Sequence, residues 1–335
     1  MCKRLLKFVG ITLCLVSLAA MPAGCGSTAS NSPTTDSQPQ SSSGPGGEMQ
    51  KADTDGITHK WIDVAYAELS AAQKMDIFLP EDGIGPFPAI IQIHGGAFKS
   101  GDKASGELTP VLEALKRGYA VIAVNYRLSN EAQFPAQIND IKAAIRFVRA
   151  NAETYSVNPD KIAIWGGSAG GSLAALAGTS GGVKALQDDS LGNADQSDLV
   201  QAVVDWFGPI NFSTMDAEFA TLGVTPMGVT SSADSPESAY LGKIVGSQEA
   251  EALVRQASPA TYISADDPAF FIQHGTNDKN IPITQSANFA DILAGAVGAS
   301  KVTYTVIEGA GHGGAEFNSP DNISRVLDFL DAYLK

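Results

Sequence analysis

Cysteine is nearly absent from this chain of 335 residues: Cys2, Cys14 and Cys25 are the only three, and none follows position 25. The long remainder therefore holds no disulfide framework and no thiolate metal site. Histidine is almost as scarce, and His59, His94, His274 and His312 stand too far apart for zinc-ligand spacing. No glycine loop has a phosphate-binding context either, so neither a metal nor an organic cofactor is expected. Basic residues are outnumbered, 22 Lys and Arg against 36 Asp and Glu, for a formal charge of −14. A surface this acidic argues against nucleic acid and anionic lipid as partners. Beyond Met21 there is no second long apolar span, and no internal repeat.

What is present begins with Lys3, Arg4 and Lys7, followed by an uncharged apolar run from Phe8 to Met21. A basic start and an apolar run too short for a stable membrane span have the layout of a bacterial secretion signal, here residues 1–24. Ala23-Gly24-Cys25-Gly26 resembles the lipobox of bacterial lipoproteins, with Pro22 where Leu is usual. In that motif the cysteine becomes the lipidated N-terminus, so Cys25 is read as a lipid anchor and the only membrane contact. An ordinary cleaved signal with an unmodified cysteine is the alternative. Either way the protein is expected outside the cytoplasm. From Gly26 to Gln50 the chain is mostly Ser, Thr, Pro, Gly and Gln. Such a composition buries too little to offset chain ordering, so 25–50 reads as a lipidated Cys and a disordered tether. Residues 51–335 suit one domain.

Within 51–335, short apolar runs alternate with helical patterns. Strands are predicted at 74–79, 89–93, 120–124, 161–165, 201–206, 269–273 and 302–307, several of them continuously apolar, as strands covered on both faces are. Helices are predicted at 107–117, 137–153, 169–177, 283–293 and 318–334. Asn158-Pro159-Asp160 carries turn chemistry ahead of a strand. This βαβα order implies an α/β fold, a mostly parallel sheet with helices on both faces and its ligand site off the carboxyl ends of the strands. Between Trp206 and Ala269, about 60 residues break the rhythm and carry only short helical pieces. Ser235-Pro236-Glu237 reads as a capped helix start. The stretch from about 211 to 262 is taken as a small cap over the site, against the plainer reading of a surface excursion.

The chemistry concentrates in Ile164-Trp165-Gly166-Gly167-Ser168-Ala169-Gly170-Gly171. A Gly-x-Ser-x-Gly pattern between a buried strand and a helix holds its serine in a sharp turn, hydroxyl clear of the sheet, and the glycines give it room. The helix that starts at Ala169 aims its first amides at the site, where they can hold an oxyanion. Upstream, Ile93-His94-Gly95-Gly96-Ala97-Phe98 resembles the His-Gly-Gly-Gly oxyanion motif of lipases and esterases. Gly95 and Gly96, with Ala169, are the expected oxyanion donors, and Ala97 in place of the third glycine counts against residue 97. His94 is read as structural.

For the general base, His59 lies before the early strands, and His94 and His274 each lead into a glycine closing a core strand. His312, in Glu308-Gly309-Ala310-Gly311-His312-Gly313-Gly314 between the last strand and the last helix, is the candidate. The acid should fall between Ser168 and His312 in the chain. Asp278 fits, with Asp205 in Val204-Asp205-Trp206-Phe207-Gly208-Pro209 as the rival, read instead as a structural carboxylate at the cap entrance.

Together these motifs resemble the α/β-hydrolase esterases, specifically the group similar to bifunctional feruloyl and acetyl-xylan esterases. Ser100-Gly101-Asp102, Asn125-Tyr126-Arg127-Leu128, Phe134-Pro135-Ala136-Gln137 with Asp140, and Ala257-Ser258-Pro259 fit that group too. Hormone-sensitive-lipase-like esterases share much of the pattern but usually put an acid where this chain has Gly167. The resemblance implies a serine carboxylic-ester hydrolase, with a short acyl group on a carbohydrate or other bulky alcohol as the expected substrate. Three other readings stay open: a generalist carboxylesterase, a prolyl-oligopeptidase-type peptidase, and a tethered binding protein that has lost catalysis. Oligomeric state is not legible in the sequence.

Overall fold

The structure, a computed structural model, describes residues 50–335. The secretion signal, Cys25 and the tether up to residue 49 lie outside the described residues. The apolar runs form eight strands: β1 (Lys60–Ala65), β2 (Lys74–Phe78), β3 (Phe87–Ile93), β4 (Ala120–Val124), β5 (Val157–Gly167), β6 (Ala202–Trp206), β7 (Ala269–Gly275) and β8 (Val302–Ile307). They join in one sheet in the order β1-β2-β4-β3-β5-β6-β7-β8. β2 runs antiparallel to both β1 and β4, and every pairing from β4 to β8 is parallel.

Successive residues of a strand point to opposite faces, so a continuous apolar run feeds two cores. Ile91, Ile122 and Ile164 enter one, and their neighbours Ile90, Val121 and Ala163 enter the other. The first core is closed by α2 (Ala136–Ala150), α3 (Ala169–Thr179) and α7 (Thr284–Val297), through Ile141, Leu173 and Phe289 among others. The second is closed by α1 (Thr109–Leu112) and α8 (Pro320–Leu334). In α8, Ile323, Val326, Leu327, Leu330 and Leu334 form one stripe, all buried. At about 1.5–3 kcal/mol for each large apolar side chain fully buried, that stripe is what holds the helix to the sheet.

Three local features differ from the sequence reading. β1 was not expected, because Lys60–Ala65 lies at the sheet edge, mostly outside the core, and its polar residues break the apolar signal. A register shift between Trp61 and Val64, with Asp63 at φ 57°, marks a bulge there. The single helix expected at 107–117 is instead three short pieces: 3₁₀ turns at Gly106–Leu108 and Glu113–Arg117 flank α1. Pro110 has no N–H to carry a helical ladder through that stretch. β5 begins at Val157, so the Asn158-Pro159-Asp160 turn is taken up as a register shift against β3 rather than preceding the strand.

The insertion between β6 and β7 contains α4 (Met215–Leu222), α5 (Pro236–Leu241) and α6 (Glu251–Ala257). Ser235 caps α5, its hydroxyl accepting the Ser238 N–H at 3.0 Å, and Gly242 ends it in the left-handed conformation. Gln285 of α7 fastens the start of the insertion, its side-chain oxygen accepting the amides of Ile210 and Asn211 at 2.9 and 2.6 Å. No helix among the described residues is long and apolar enough to cross a membrane.

Candidate active site

Ser168 sits in the turn from β5 to α3 with φ 56° and ψ −124°. A non-glycine residue there is strained by about 1–3 kcal/mol, which the surrounding packing must hold. Two glycines make the turn possible: a Cβ on Gly166 would collide with the Gly170 carbonyl, and one on Gly170 with the Ile93 carbonyl. The Ser168 N–H is held by the Trp206 carbonyl at 2.9 Å, so the turn is tied to β6.

His312 arrives on the loop after β8. Its Nε2 lies 2.8 Å from Ser168 Oγ and its Nδ1 lies 2.7 Å from Asp278 Oδ2. With Asp278 ionised, Nδ1–H donates to the carboxylate, leaving Nε2 to accept the serine proton. The Phe207 ring packs against the imidazole at 4.7 Å between centroids. Asp278 follows β7 and is buried. Its Oδ1 accepts the amides of Asn280 and Ile281 at 2.8 and 3.0 Å. Burial by itself would raise its carboxyl, but hydrogen bonds from His274 and His312 hold it far below the usual carboxylate range.

His274 is the residue the sequence reading passed over. It is fully buried, with Nε2 3.2 Å from Asp278 Oδ2 and 3.0 Å from the Ile281 carbonyl, and Nδ1 2.7 Å from Ser286 Oγ on α7. Two acceptors face Nε2, so that nitrogen carries the proton and Ser286 donates to Nδ1. His274 thus braces the acid from behind. In the sequence its only signal was the spacing of four residues to Asp278.

Asp205 stays out of this relay. It is fully buried at the end of β6, with Oδ1 accepting the Gly208 N–H at 3.0 Å as the chain turns into the insertion, and Oδ2 without a partner among the described residues. Burial pushes its carboxyl up to about 6. His59 is exposed just before β1. His94 is buried, Nδ1 2.8 Å from the Gly95 carbonyl and its ring stacked on Tyr126 at 4.4 Å. Burial depresses its basicity, so it acts as a neutral donor that shapes the loop. Arg127 clamps Asp140 through Nε and Nη2, at 2.9 and 2.7 Å, and Asn125 binds Asp102 at 3.0 Å and the Lys103 amide at 2.6 Å. The Asn-Tyr-Arg segment is therefore scaffolding for the loop after β3.

That loop requires a correction. The Gly95 N–H, expected to serve an oxyanion, instead donates to Glu107 Oε2 at 2.7 Å. Ala97, discounted from the sequence, lines the cavity beside Ser168 and Ala169. Among the described residues the amides of Gly96, Ala97 and Ala169 meet no acceptor. The amides left open to a substrate are therefore those of Gly96, Ala97 and Ala169. A carboxylate that captures one amide of a loop comes from a distant turn, and no local motif announces it.

The cavity over Ser168 has a volume of about 600 Å³, walled on one side by Phe98, Pro209 and Ile281 and on the other by residues 227–237 of the insertion. Among the described residues no cluster of three or more His, Cys, Asp or Glu is placed to hold a metal ion.

A mostly parallel sheet with a strained serine at a strand-to-helix turn and a histidine from the last loop bonded to it defines an α/β-hydrolase. Residues 75–293 match the BD-FAE family model, and the chain belongs to that family. It is 34% identical over 234 residues to the probable carboxylic ester hydrolase LipM of Mycobacterium tuberculosis, covering 69% of this chain and 51% of LipM. The chain thus spans about half the length of the curated relatives it matches. Among solved structures, a truncated form of a carbohydrate esterase from gut microbiota superposes with a TM-score of 0.75 at 33% identity, covering 85% of this chain and 99% of that one. A bifunctional GH43-CE protein of Bacteroides eggerthii has a TM-score of 0.73 at 32% identity, over 83% of this chain and 35% of that one.

Proposed function

We propose that the protein is a serine carboxylic-ester hydrolase that works through a Ser168–His312–Asp278 triad and an acyl-enzyme, on short-acyl esters of carbohydrate or other bulky alcohols. The observation that carries the reaction is the unbroken relay from Ser168 Oγ to His312 to Asp278, opening into the cavity. In this reading Ser168 Oγ attacks the ester carbonyl while His312 Nε2 takes its proton. Asp278, braced by His274, stabilises the imidazolium that forms. The carbonyl oxygen, now an oxyanion, is held by the Ala97 and Ala169 amides. Collapse of the tetrahedral intermediate breaks the bond to the alcohol, which leaves with the proton from His312. Water, activated by the same imidazole, then cleaves the acyl-enzyme and releases the acid.

Support for a short acyl group on a bulky alcohol comes from the wall around the serine. The insertion covers it with short helices and an open rim rather than a long apolar tunnel. The carbohydrate-esterase relatives point the same way. The test is kcat/KM across acetyl, butyryl, octanoyl and feruloyl esters, acetylated xylo-oligosaccharides and a peptide amide. Acetate released from the sugars, with acetyl favoured over octanoyl, is expected. A preference for octanoyl with no release from sugars returns the generalist carboxylesterase, and peptide cleavage returns the peptidase. The proposal also places the domain outside the cytoplasm on a lipid at Cys25.

A further inference from the structure

The insertion contributes a carboxylate to the cavity that the triad does not use. Glu237 lines the same cavity as Ser168 and His312 yet keeps only 8% of its exposure. Among the described residues no donor from outside its own turn reaches it. Its nearest partners are its own N–H and the Ser235 hydroxyl, and that hydroxyl already donates to the Thr230 carbonyl at 2.7 Å. Beside it Asp234 accepts a hydrogen bond from the Ser232 hydroxyl. The side-chain hydroxyls of this wall are thus spent internally, while lone pairs of Glu237 face the cavity. Solvent in the open cavity serves those lone pairs, and a ligand that displaces it without donating leaves the carboxylate unpaired at a cost.

We propose that Glu237 is a specificity residue that accepts hydrogen bonds from hydroxyl groups on the alcohol part of the substrate. This rests on the carbohydrate-ester reading above and names the residue that would enforce it. An acceptor-rich, donor-poor wall complements a ligand whose polar groups are O–H donors, which describes a sugar ring and excludes a carboxylated one. An ammonium group would also donate, but burial raises the Glu237 carboxyl, which favours a neutral partner. The apolar residues Phe98, Pro209 and Ile281 leave the rest of the cavity for the acyl group.

The experiment compares an acetylated methyl xyloside with cyclohexyl acetate, two esters of similar ring size that differ in hydroxyls. The wild type should favour the xyloside. Glu237→Leu should lower the ratio of the two kcat/KM values about tenfold or more, the loss of a hydrogen bond to a charged acceptor. Glu237→Gln should keep most of the ratio, because its amide oxygen still accepts. If Glu237→Leu does not fold, Glu237→Asp, which withdraws the carboxylate by one methylene, carries the same comparison. A wild type indifferent between the two esters sinks the carbohydrate reading itself. A wild-type preference that survives Glu237→Leu overturns only the role of Glu237. A ratio that moves for an acetylcholine-type ester or for a feruloyl ester, and not for the xyloside, also overturns it.

Discussion

At the scale of single residues, the site depends on a few atoms whose partners can be removed one at a time. Ser168→Ala leaves the fold in place, since the backbone N–H to Trp206 remains, but removes the nucleophile. Hydrolysis should fall about ten-thousand-fold or more, and labelling by a fluorophosphonate should vanish. Asp278→Asn should cost about a thousandfold in kcat, because the amide presents a donor or a weaker acceptor to His312 Nδ1. Asp205→Asn should cost less than about tenfold, since its carboxylate touches no member of the relay. Its effect belongs to stability. A carboxyl raised to about 6 in the folded state binds its proton more tightly there than when unfolded, so its contribution to stability is full below about pH 4 and declines as pH rises through 6. Urea titrations between pH 4 and 7 should show a steeper decline in the wild type than in Asp205→Asn. For the brace, His274→Ala should lower kcat by about ten- to a hundredfold by freeing Asp278, whereas His274→Gln keeps a donor near the carboxylate and should retain more. Equal losses in both variants would reduce His274 to packing.

At the scale of elements, the oxyanion loop and the cap are held from elsewhere. Glu107 reaches from a 3₁₀ turn to fix the Gly95 amide, so Glu107→Ala should loosen the loop and lower kcat about tenfold. Single-turnover acylation rates would show it; an unchanged acylation step would mean the loop is held by His94 and Tyr126 alone. The cap is pinned at several points: Gln285 holds its start, Phe134 N–H meets the Tyr240 carbonyl at 2.9 Å, and Met227 N–H meets the Lys279 carbonyl at 2.9 Å. The last contact ties the cap directly to the loop that carries Asp278. A cap fastened in this way presents a preformed wall, which suits selection by placed polar groups such as Glu237.

At the scale of the whole molecule, the proposed lipid at Cys25 sets where the protein is expected to work. Cys25→Ala should shift the protein from the membrane fraction to the medium or block its processing, and mass spectrometry of the mature N-terminus reads the outcome. The α/β class was legible in the sequence because continuous apolar runs alternating with helical patterns leave few other ways to bury both faces of a strand. Ser168, His312 and Asp278 stood out as candidates for a related reason: each sits in a glycine-bearing loop after a strand, and chain order ranks them; the fold brings the three into contact. Those are local properties, and a linear chain states them. What only the tertiary structure decided are meetings between residues far apart. Glu107 takes the Gly95 amide, which leaves those of Gly96, Ala97 and Ala169 open. His274 turns from loop packing into the support of Asp278 because α7 brings Ser286 behind it. Glu237 lines the same cavity as Ser168 because the insertion folds back to it. Hydrogen bonds between such residues depend on where whole elements dock, and no spacing along the chain encodes that distance.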